Sequence, residues 1–552
     1  MKHPNKLVML LLFAIAGYSA QSQTPTAKPV TIDINLGNKS APLDPIWANF
    51  GYDEPNYTYM TNGQQLLTEL SQMTKVPVNI RMHHLLVTGD GTPALKWGST
   101  NVYTEDKDGN PVYDWTIIDR IFDVIVSRGL HPIAQIGFMP QALSTHPDPY
   151  YKADGVKYSP KDYKKWSDLV YAWVKHSVDR YGQKEVEKWN WELWNEPDIT
   201  YYWKDSTEDL IKLYDYTADA VKRALPTATL GGPETTSPSG AKAAAFLKAF
   251  LTHVVSGKNY ATGQTGSPLD LITFHAKGNT RLVNGIMRMN MKQELSDIDN
   301  GFKIVASYPT LKKLPIIIGE ADPESCAACV GPQYDYRNGT IYPSYEAAAI
   351  ARIYDIAANR GVNLRGIVTW AFTFENEPIF KGYRELATQG VDKPVLNTFR
   401  MFSMMKGNRA EVKQNLAYTA QRILDSSVRA QPDINALATI DKHQASVLVW
   451  NYHDDNNPAA PASPVKIKLA GLPVATATVK QYRIDDEHSN AYAVWKKMGS
   501  PSSPTIQQKA ELQKAGKLQT MGAPQKIKVT GGQATIDVSL PSHSVALYQL
   551  TW

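Results

Sequence analysis

The stretch WNWELWNEPD (Trp189–Asp198) decides how this chain is read. Its apolar residues stop at Trp194, and Asn195, Glu196 and Pro197 follow at once. A short run so rich in tryptophan, bounded by a breaker, has the pattern of a buried strand. Pro197 has no backbone N–H and a fixed φ, so it ends the strand and stiffens the start of the loop. Glu196 then stands at a strand's C-terminal end, where parallel α/β folds place their reacting groups. A glutamate packed among tryptophans is expected to resist ionisation, because burial disfavours the charged form. That suits a general acid, which must hold a proton near neutral pH.

A second segment has the same design. In LPIIIGEADP (Leu314–Pro323) an apolar run ends in Glu320, and strand alternation sends Asp322 to the same face. Asp322 is therefore expected to bind substrate or to set the ionisation of its neighbour, and Glu324 is a further carboxylate nearby. Working outward, eight β-type runs alternate with amphipathic helical stretches between Ile46 and Asn376. The runs are Ile46–Asp53, Val76–His84, His131–Pro140, Lys188–Pro197, Thr229–Glu234, Leu269–Gly278, Leu314–Pro323 and Gly366–Asn376. Stretches such as Gln64–Thr74, Ile117–Arg128, Tyr163–Tyr181, Leu210–Ala224 and Tyr345–Asn359 carry helical periodicity. This alternation predicts an α/β fold, a (β/α)₈ TIM barrel over residues 46–408. In such a barrel the fourth and seventh strands face each other, which brings Glu196 and Glu320 to one cleft. Arg81, His83, His84, Asn195, Glu234, His275 and Lys277 are also expected at strand ends.

After about Arg409 the texture changes to short strands between Pro, Gly, Asn and Asp turn signals, as in a β-sandwich. That accessory domain is assigned residues 409–552, with a helical insert at Thr505–Lys514. Residues 23–45 form an N-terminal segment whose alternating Val30–Leu36 is expected to add a strand to the sandwich. Lys2, His3 and Lys6 precede the apolar run Leu7–Ala16 and the small residues Gly17, Ser19 and Ala20, so residues 1–22 read as a signal peptide and the mature protein as secreted or periplasmic. That run is too short to span a bilayer, and no later segment has the ~20 apolar residues of a membrane helix.

The net charge of +5 is mild and well mixed over 552 residues, which gives nucleic-acid binding no support. Thirteen tryptophans and 29 tyrosines suit both core packing and stacking against sugar rings. Cys326 and Cys329 are the only cysteines, and with no second pair they favour a small loop disulfide or two thiols over a zinc site. No G-x-S-x-G elbow or H-E-x-x-H motif supports an esterase or metalloprotease.

Asn-Glu-Pro on the fourth strand with a glutamate ending the seventh resembles clan A of the glycoside hydrolases. More narrowly, the chain resembles glycoside hydrolase family 39, which holds β-xylosidases and α-L-iduronidases. The likeness rests on IRMHH (Ile80–His84), WELWNEPD (Trp191–Asp198), GGPE (Gly231–Glu234), FHAKG (Phe274–Gly278), GEADP (Gly319–Pro323), the Thr369–Phe399 stretch and YRIDDEHSNAY (Tyr482–Tyr492). The resemblance implies a cofactor-free and metal-free retaining exo-glycosidase acting on an oligosaccharide. Glu196 would be the acid/base and Glu320 the nucleophile. Asn195 would bond the sugar 2-hydroxyl in the −1 subsite, the position of the sugar whose glycosidic bond is cut. His83 would contact hydroxyls, His275 would lie beside the nucleophile, and Trp370 would form an aromatic floor. Lys277, or Arg384 or Arg337 in its place, would pair with a uronate carboxylate if the substrate were of the iduronidase kind. A β-xylosidase-like activity leads. Iduronidase-like or arabinofuranosidase activity, and a non-catalytic sugar-binding barrel, are the alternatives.

Overall fold

The structure is a computed structural model that describes Met1 and residues 29–147, 154–457 and 460–552. The expected signal peptide, Met1 apart, lies outside the described residues. Eight parallel strands close into a barrel: β1 (Asn49–Tyr52), β2 (Asn79–Met82), β3 (His131–Ile136), β4 (Asn190–Leu193), β5 (Thr229–Thr235), β6 (Leu271–Lys277), β7 (Pro315–Asp322) and β8 (Asn363–Thr369). Chain order is spatial order, and Val368 of β8 pairs beside Asn49 of β1 to complete the ring.

Each strand leads to a helix: α1 (Thr61–Met73), α2 (Thr116–Val126), α3 (Tyr163–Tyr181), α4 (Thr207–Ala224), α5 (Ala241–Ser256), α6 (Met291–Ala306), α7 (Ile341–Arg360) and α8 (Pro394–Met404). Local chemistry sets their ends. Asp162 accepts from the backbone of Lys164 and Lys165 to start α3, and Ser206 with Asp209 forms a reciprocal capping box on α4. In α3, Trp166, Val170, Trp173, Val174 and Ser177 recur at three- and four-residue steps and bury one face.

Seven of the eight barrel strands are shorter than the runs read from the sequence, β5 alone excepted. In β4 and β8 the reason is that polar groups near the mouth bond to neighbours off the ladder. β4 stops at Leu193, and Trp194 and Glu196 take positive φ values of 65° and 45°. Glu196 donates its N–H to the Glu234 carbonyl at 2.8 Å. β8 stops at Thr369, where the Trp370 N–H goes to Asp322 and the Phe374 N–H goes to Glu385.

Among the described residues ten further strands form one sheet around a second apolar core containing Ile32, Ile34, Val447, Val449 and Ile467, and the others pair off in three two-stranded sheets. This is a β-sandwich beside the barrel. The N-terminal strand Val30–Pro42 lies inside it, antiparallel to Asn408–Lys413 and parallel to Ser463–Ala470. Ile32, Ile34 and Leu36 face the core while Asp33 and Asn35 face out, the alternation seen in the sequence. The helical insert spans Ile506–Gly516 and is capped by Thr505 and Gln508. Helix α7 is buried almost throughout and rich in alanine because it is wedged between barrel and sandwich. From it Arg352 reaches Asp433 of the sandwich at 2.8 Å.

Candidate active site

The barrel mouth gathers charged side chains that one buried arginine organises. Arg81, at the end of β2, donates to Glu192 at 2.5 Å, to Glu320 at 3.2 Å and to Asn195 Oδ1 at 3.2 Å, and lies 3.3 Å from Glu234. Because Arg81 takes the amide oxygen, Asn195 keeps its amide nitrogen to offer as a donor. A charge this deep is tolerable only when paired and fully bonded, and here four elements supply its partners.

Glu196 and Glu320 face one another across His275. One nitrogen or oxygen from each of these three residues fits within a mutual distance of 4.8 Å. His275 Nδ1 is 2.9 Å from Glu196 and 3.9 Å from Glu320, and its Nε2 is 2.7 Å from Glu234. Burial opposes a charge on His275, but Glu320, Glu196 and Glu234 outweigh it and push the imidazole up to about 10. It is an imidazolium that donates to both sides. This contact, rather than an apolar cage of tryptophans, is the environment of Glu196, which keeps a solvent-facing edge; the Trp194 indole turns away to the Tyr202 carbonyl.

Glu320 lies among cations. Lys277 Nζ is 2.7 Å from its Oε2, Arg81 touches Oε1, and His83 Nε2 stands 3.8 Å off. Burial would favour the neutral acid, yet Lys277, His275 and Arg81 hold the carboxyl well below the usual range. Glu320 is thus an anion poised in a nearly dry site. The other carboxylate of the floor, Glu234, is kept down at about 2 against its burial by Arg81 and His275, while burial keeps neighbouring Glu192 neutral.

His83 Nδ1 bonds Asp53 at 2.9 Å, and its Nε2 has no partner within the described residues. Burial and Arg81 hold this imidazole neutral. With the Nδ1 proton directed at the Asp53 carboxylate, Nε2 is a free acceptor. Trp370 donates its indole N–H to Asp53 at 3.0 Å and lies under the Arg81 guanidinium, 5.0 Å from ring to charge. It fits because Gly51 has no side chain: a Cβ there would meet the indole at 2.3 Å.

The structure also separates residues that the sequence grouped together. Lys277 spends its ammonium on Glu320 and Asp322, so it is committed to protein carboxylates and is not a free anion receptor. Asp322 accepts from Lys277 and the Trp370 N–H and is ion-paired with the Arg384 guanidinium at 3.1 Å. Arg384 is wholly buried behind Asp322, Glu324 and the Trp370 carbonyl. Arg337 is committed to Glu324, to the carbonyls of Cys326, Ala327 and Cys329 in the loop closed by the Cys326–Cys329 disulfide, and to the Gly382 carbonyl. Neither arginine offers a face to a ligand. Conversely, the sequence did not single out Asp53, Lys96 or Glu192. Asp53 directly follows β1, a signal that strand-end logic could have used; Lys96 lies in a loop with none. The Glu196, His275 and Glu320 atoms are close enough for a cation, but Lys277 and Arg81 already neutralise Glu320, so the cluster suits proton and anion chemistry better.

A closed eight-stranded barrel with two glutamates facing one another at its mouth, Glu320 held ionised, has the architecture of a glycoside hydrolase. The family model for glycosyl hydrolases family 39 matches residues 30–533, and this chain belongs to that family. A β-xylosidase of Caldicellulosiruptor saccharolyticus is 26% identical over 81% of this chain and 85% of that protein. An α-L-iduronidase of Mus musculus is 24% identical over 90% of this chain and 77% of that protein. The solved monomeric β-xylosidase of Caulobacter crescentus CB15 superposes with a TM-score of 0.73 at 23% identity, covering 95% of this chain and 99% of that one.

Proposed function

We propose that this protein is a retaining exo-glycosidase of the β-xylosidase kind, working by double displacement. The observation that carries the reading is the spacing of the two carboxylates: oxygens of Glu196 and Glu320 come within 4.8 Å. Retaining enzymes hold their carboxyls ~5–5.5 Å apart, whereas inverting ones leave ~6.5–9.5 Å for a water. Glu320, ionised among its cations, attacks the anomeric carbon. Glu196, bonded to His275 and open on one edge, protonates the leaving oxygen. Glu196 then takes a proton from water, which displaces Glu320 and releases the sugar with its configuration kept. Asn195 directs its amide nitrogen to the 2-hydroxyl, and His83 Nε2 accepts from another hydroxyl. The similarity to β-xylosidases supports a pentoside substrate. So does the commitment of Lys277 and Arg384 to protein carboxylates, which leaves neither to bind a uronate.

The decisive experiment is a panel of nitrophenyl xylosides, arabinofuranosides and uronides, with proton NMR of the first product from the active one. Retention is expected, and inversion would refute the mechanism. Glu320→Gln is expected to lower kcat by at least about 10⁴-fold while leaving the melting temperature nearly unchanged; wild-type turnover in that variant would remove Glu320 from its role.

The N-terminal basic and apolar pattern and the disulfide Cys326–Cys329 support export from the cytoplasm. N-terminal sequencing of the protein recovered from the periplasm or medium should begin near residue 23; recovery of intact, unprocessed chain from the cytoplasm alone would refute export.

A further inference from the structure

One cation of the cleft has no assigned task. Lys96 sits in the loop between β2 and α2, where its own N–H donates to Glu54 at 2.7 Å. Its neighbour Trp97 packs against His84, ring to ring at 5.1 Å. The ammonium reaches Asp53, the carboxylate that also accepts from His83 and Trp370. Through Asp53 it adjoins His83, whose Nε2 stands 3.8 Å from Glu320, and this places Lys96 at the same cleft. What distinguishes Lys96 is access. Its side chain is 38% exposed, against 8% or less for Arg81, Lys277 and Arg384.

An ammonium carries three donors, and Asp53 occupies one. A carboxylate offers about four lone-pair sites, and Asp53 has filled three. The pair therefore presents spare donors beside a spare acceptor, next to the unfilled Nε2 of His83. His83 bonds Asp53 at 2.9 Å through Nδ1 and stands 3.8 Å from Glu320 Oε1 through Nε2, so the Lys96–Asp53 pair is set one imidazole's width from Glu320.

We infer that Lys96 and Asp53 together grip two adjacent hydroxyls of the −1 sugar on the side of the ring away from the scissile bond, which makes Lys96 a specificity-determining residue for a neutral, non-reducing terminal sugar. The inference rests on the retaining glycosidase reading and deepens it. A diol satisfies the pair because one hydroxyl accepts from Lys96 while its neighbour donates to Asp53. A uronate carboxylate at the same place has only acceptors, so it leaves Asp53 without a donor and meets its charge, and the pair is completed by a diol alone.

The test compares 4-nitrophenyl β-D-xyloside with its 4-deoxy analogue on the wild type, Lys96→Ala and Lys96→Gln. A site built to bond a hydroxyl rejects the analogue lacking it, so the wild type should lose about 100-fold in kcat/KM on the deoxy substrate. Lys96→Ala should lose about 30-fold on the parent xyloside but discriminate against the deoxy compound by less than about 3-fold, and Lys96→Gln should recover part of both values. If Lys96→Ala is slowed equally on both substrates, or prefers a uronide, the inference is overturned. If the wild type cleaves the xyloside with retention in that case, the function proposed above survives. If it cleaves no glycoside in the panel, both readings fall.

Discussion

Lys277 and Glu320 show how far one contact can set chemistry. The ammonium sits 2.7 Å from the carboxylate and contributes to holding it ionised despite burial. Removing that charge raises the pH at which Glu320 binds a proton, and in the mechanism proposed above a protonated Glu320 cannot attack. Lys277→Met is therefore expected to move the acid limb of the kcat/KM profile upward by about one pH unit or more, while the wild type stays active at lower pH. A pH–rate profile that coincides with the wild type would show that Lys277 does not tune the nucleophile. At this scale the sequence was informative about identity and poor about partners. Glu196, Glu320, Asn195, His83 and His275 could all be named, because strand ends and a family pattern mark them. That Lys277 faces Glu320 rather than a substrate carboxylate depends on a 2.7 Å contact between β6 and β7, and no linear spacing encodes it.

Between elements, close approach matters more than charge. Gly319 on β7 lies against Glu234 of β5: a Cβ on Gly319 would fall 2.0 Å from Glu234 Oε2 and 2.7 Å from its Cδ. Glu234 in turn fixes His275, which donates to Glu196. Gly319→Ala is expected to displace Glu234 and cost about 10²-fold in kcat by misplacing His275, with a stability loss of about 1–3 kcal/mol from overpacking. Turnover measured beside thermal unfolding checks both; unchanged kcat would show that Glu234 does not position the acid/base. The number and order of the barrel strands were legible, since a period of two switching to 3.6 repeats plainly along the chain. The ends of β4 and β8 were not. Asn195 and Thr373 look like strand residues by composition, and only the tertiary bonds to Glu234, Asp322 and Glu385 explain why the ladder stops earlier.

The barrel and the sandwich share a polar joint as well as an apolar one. Arg352 of α7 meets Asp433 at 2.8 Å, and Asp433 also accepts from the Trp450 indole at 2.9 Å and the Tyr418 N–H at 3.2 Å. Losing one partner of such a buried pair leaves the other uncompensated, so Asp433→Ala is expected to destabilise by about 3–5 kcal/mol in urea. A change under about 1 kcal/mol would mean that the joint is held by apolar packing alone. Acid sensitivity should centre on Glu324. Burial opposes its charge, but Arg384 and Arg337 hold it down at about 2, below an ordinary value of 4.5. A depressed carboxyl stabilises the fold above the unfolded value and loses that contribution as pH falls through the folded one. The urea midpoint should therefore drop between about pH 4.5 and 2, and Glu324→Gln should flatten that dependence; an equal slope in both proteins would place the sensitivity elsewhere.

The strand Val30–Pro42 is bordered by Asn408–Lys413 on one side and Ser463–Ala470 on the other. A ribosome delivers these borders hundreds of residues after the strand itself. During synthesis the amino-terminal segment must wait, its hydrogen-bonding edges unmatched, while the whole barrel emerges and collapses ahead of it. The sheet can be sealed only by a late, long-range closure that joins Val30–Pro42 to strands synthesised after the barrel. Translocation in a single pass followed by folding on the far side of a membrane would spare that segment the wait, and nascent chains halted before residue 470 should leave it open to proteases even when the barrel is already formed.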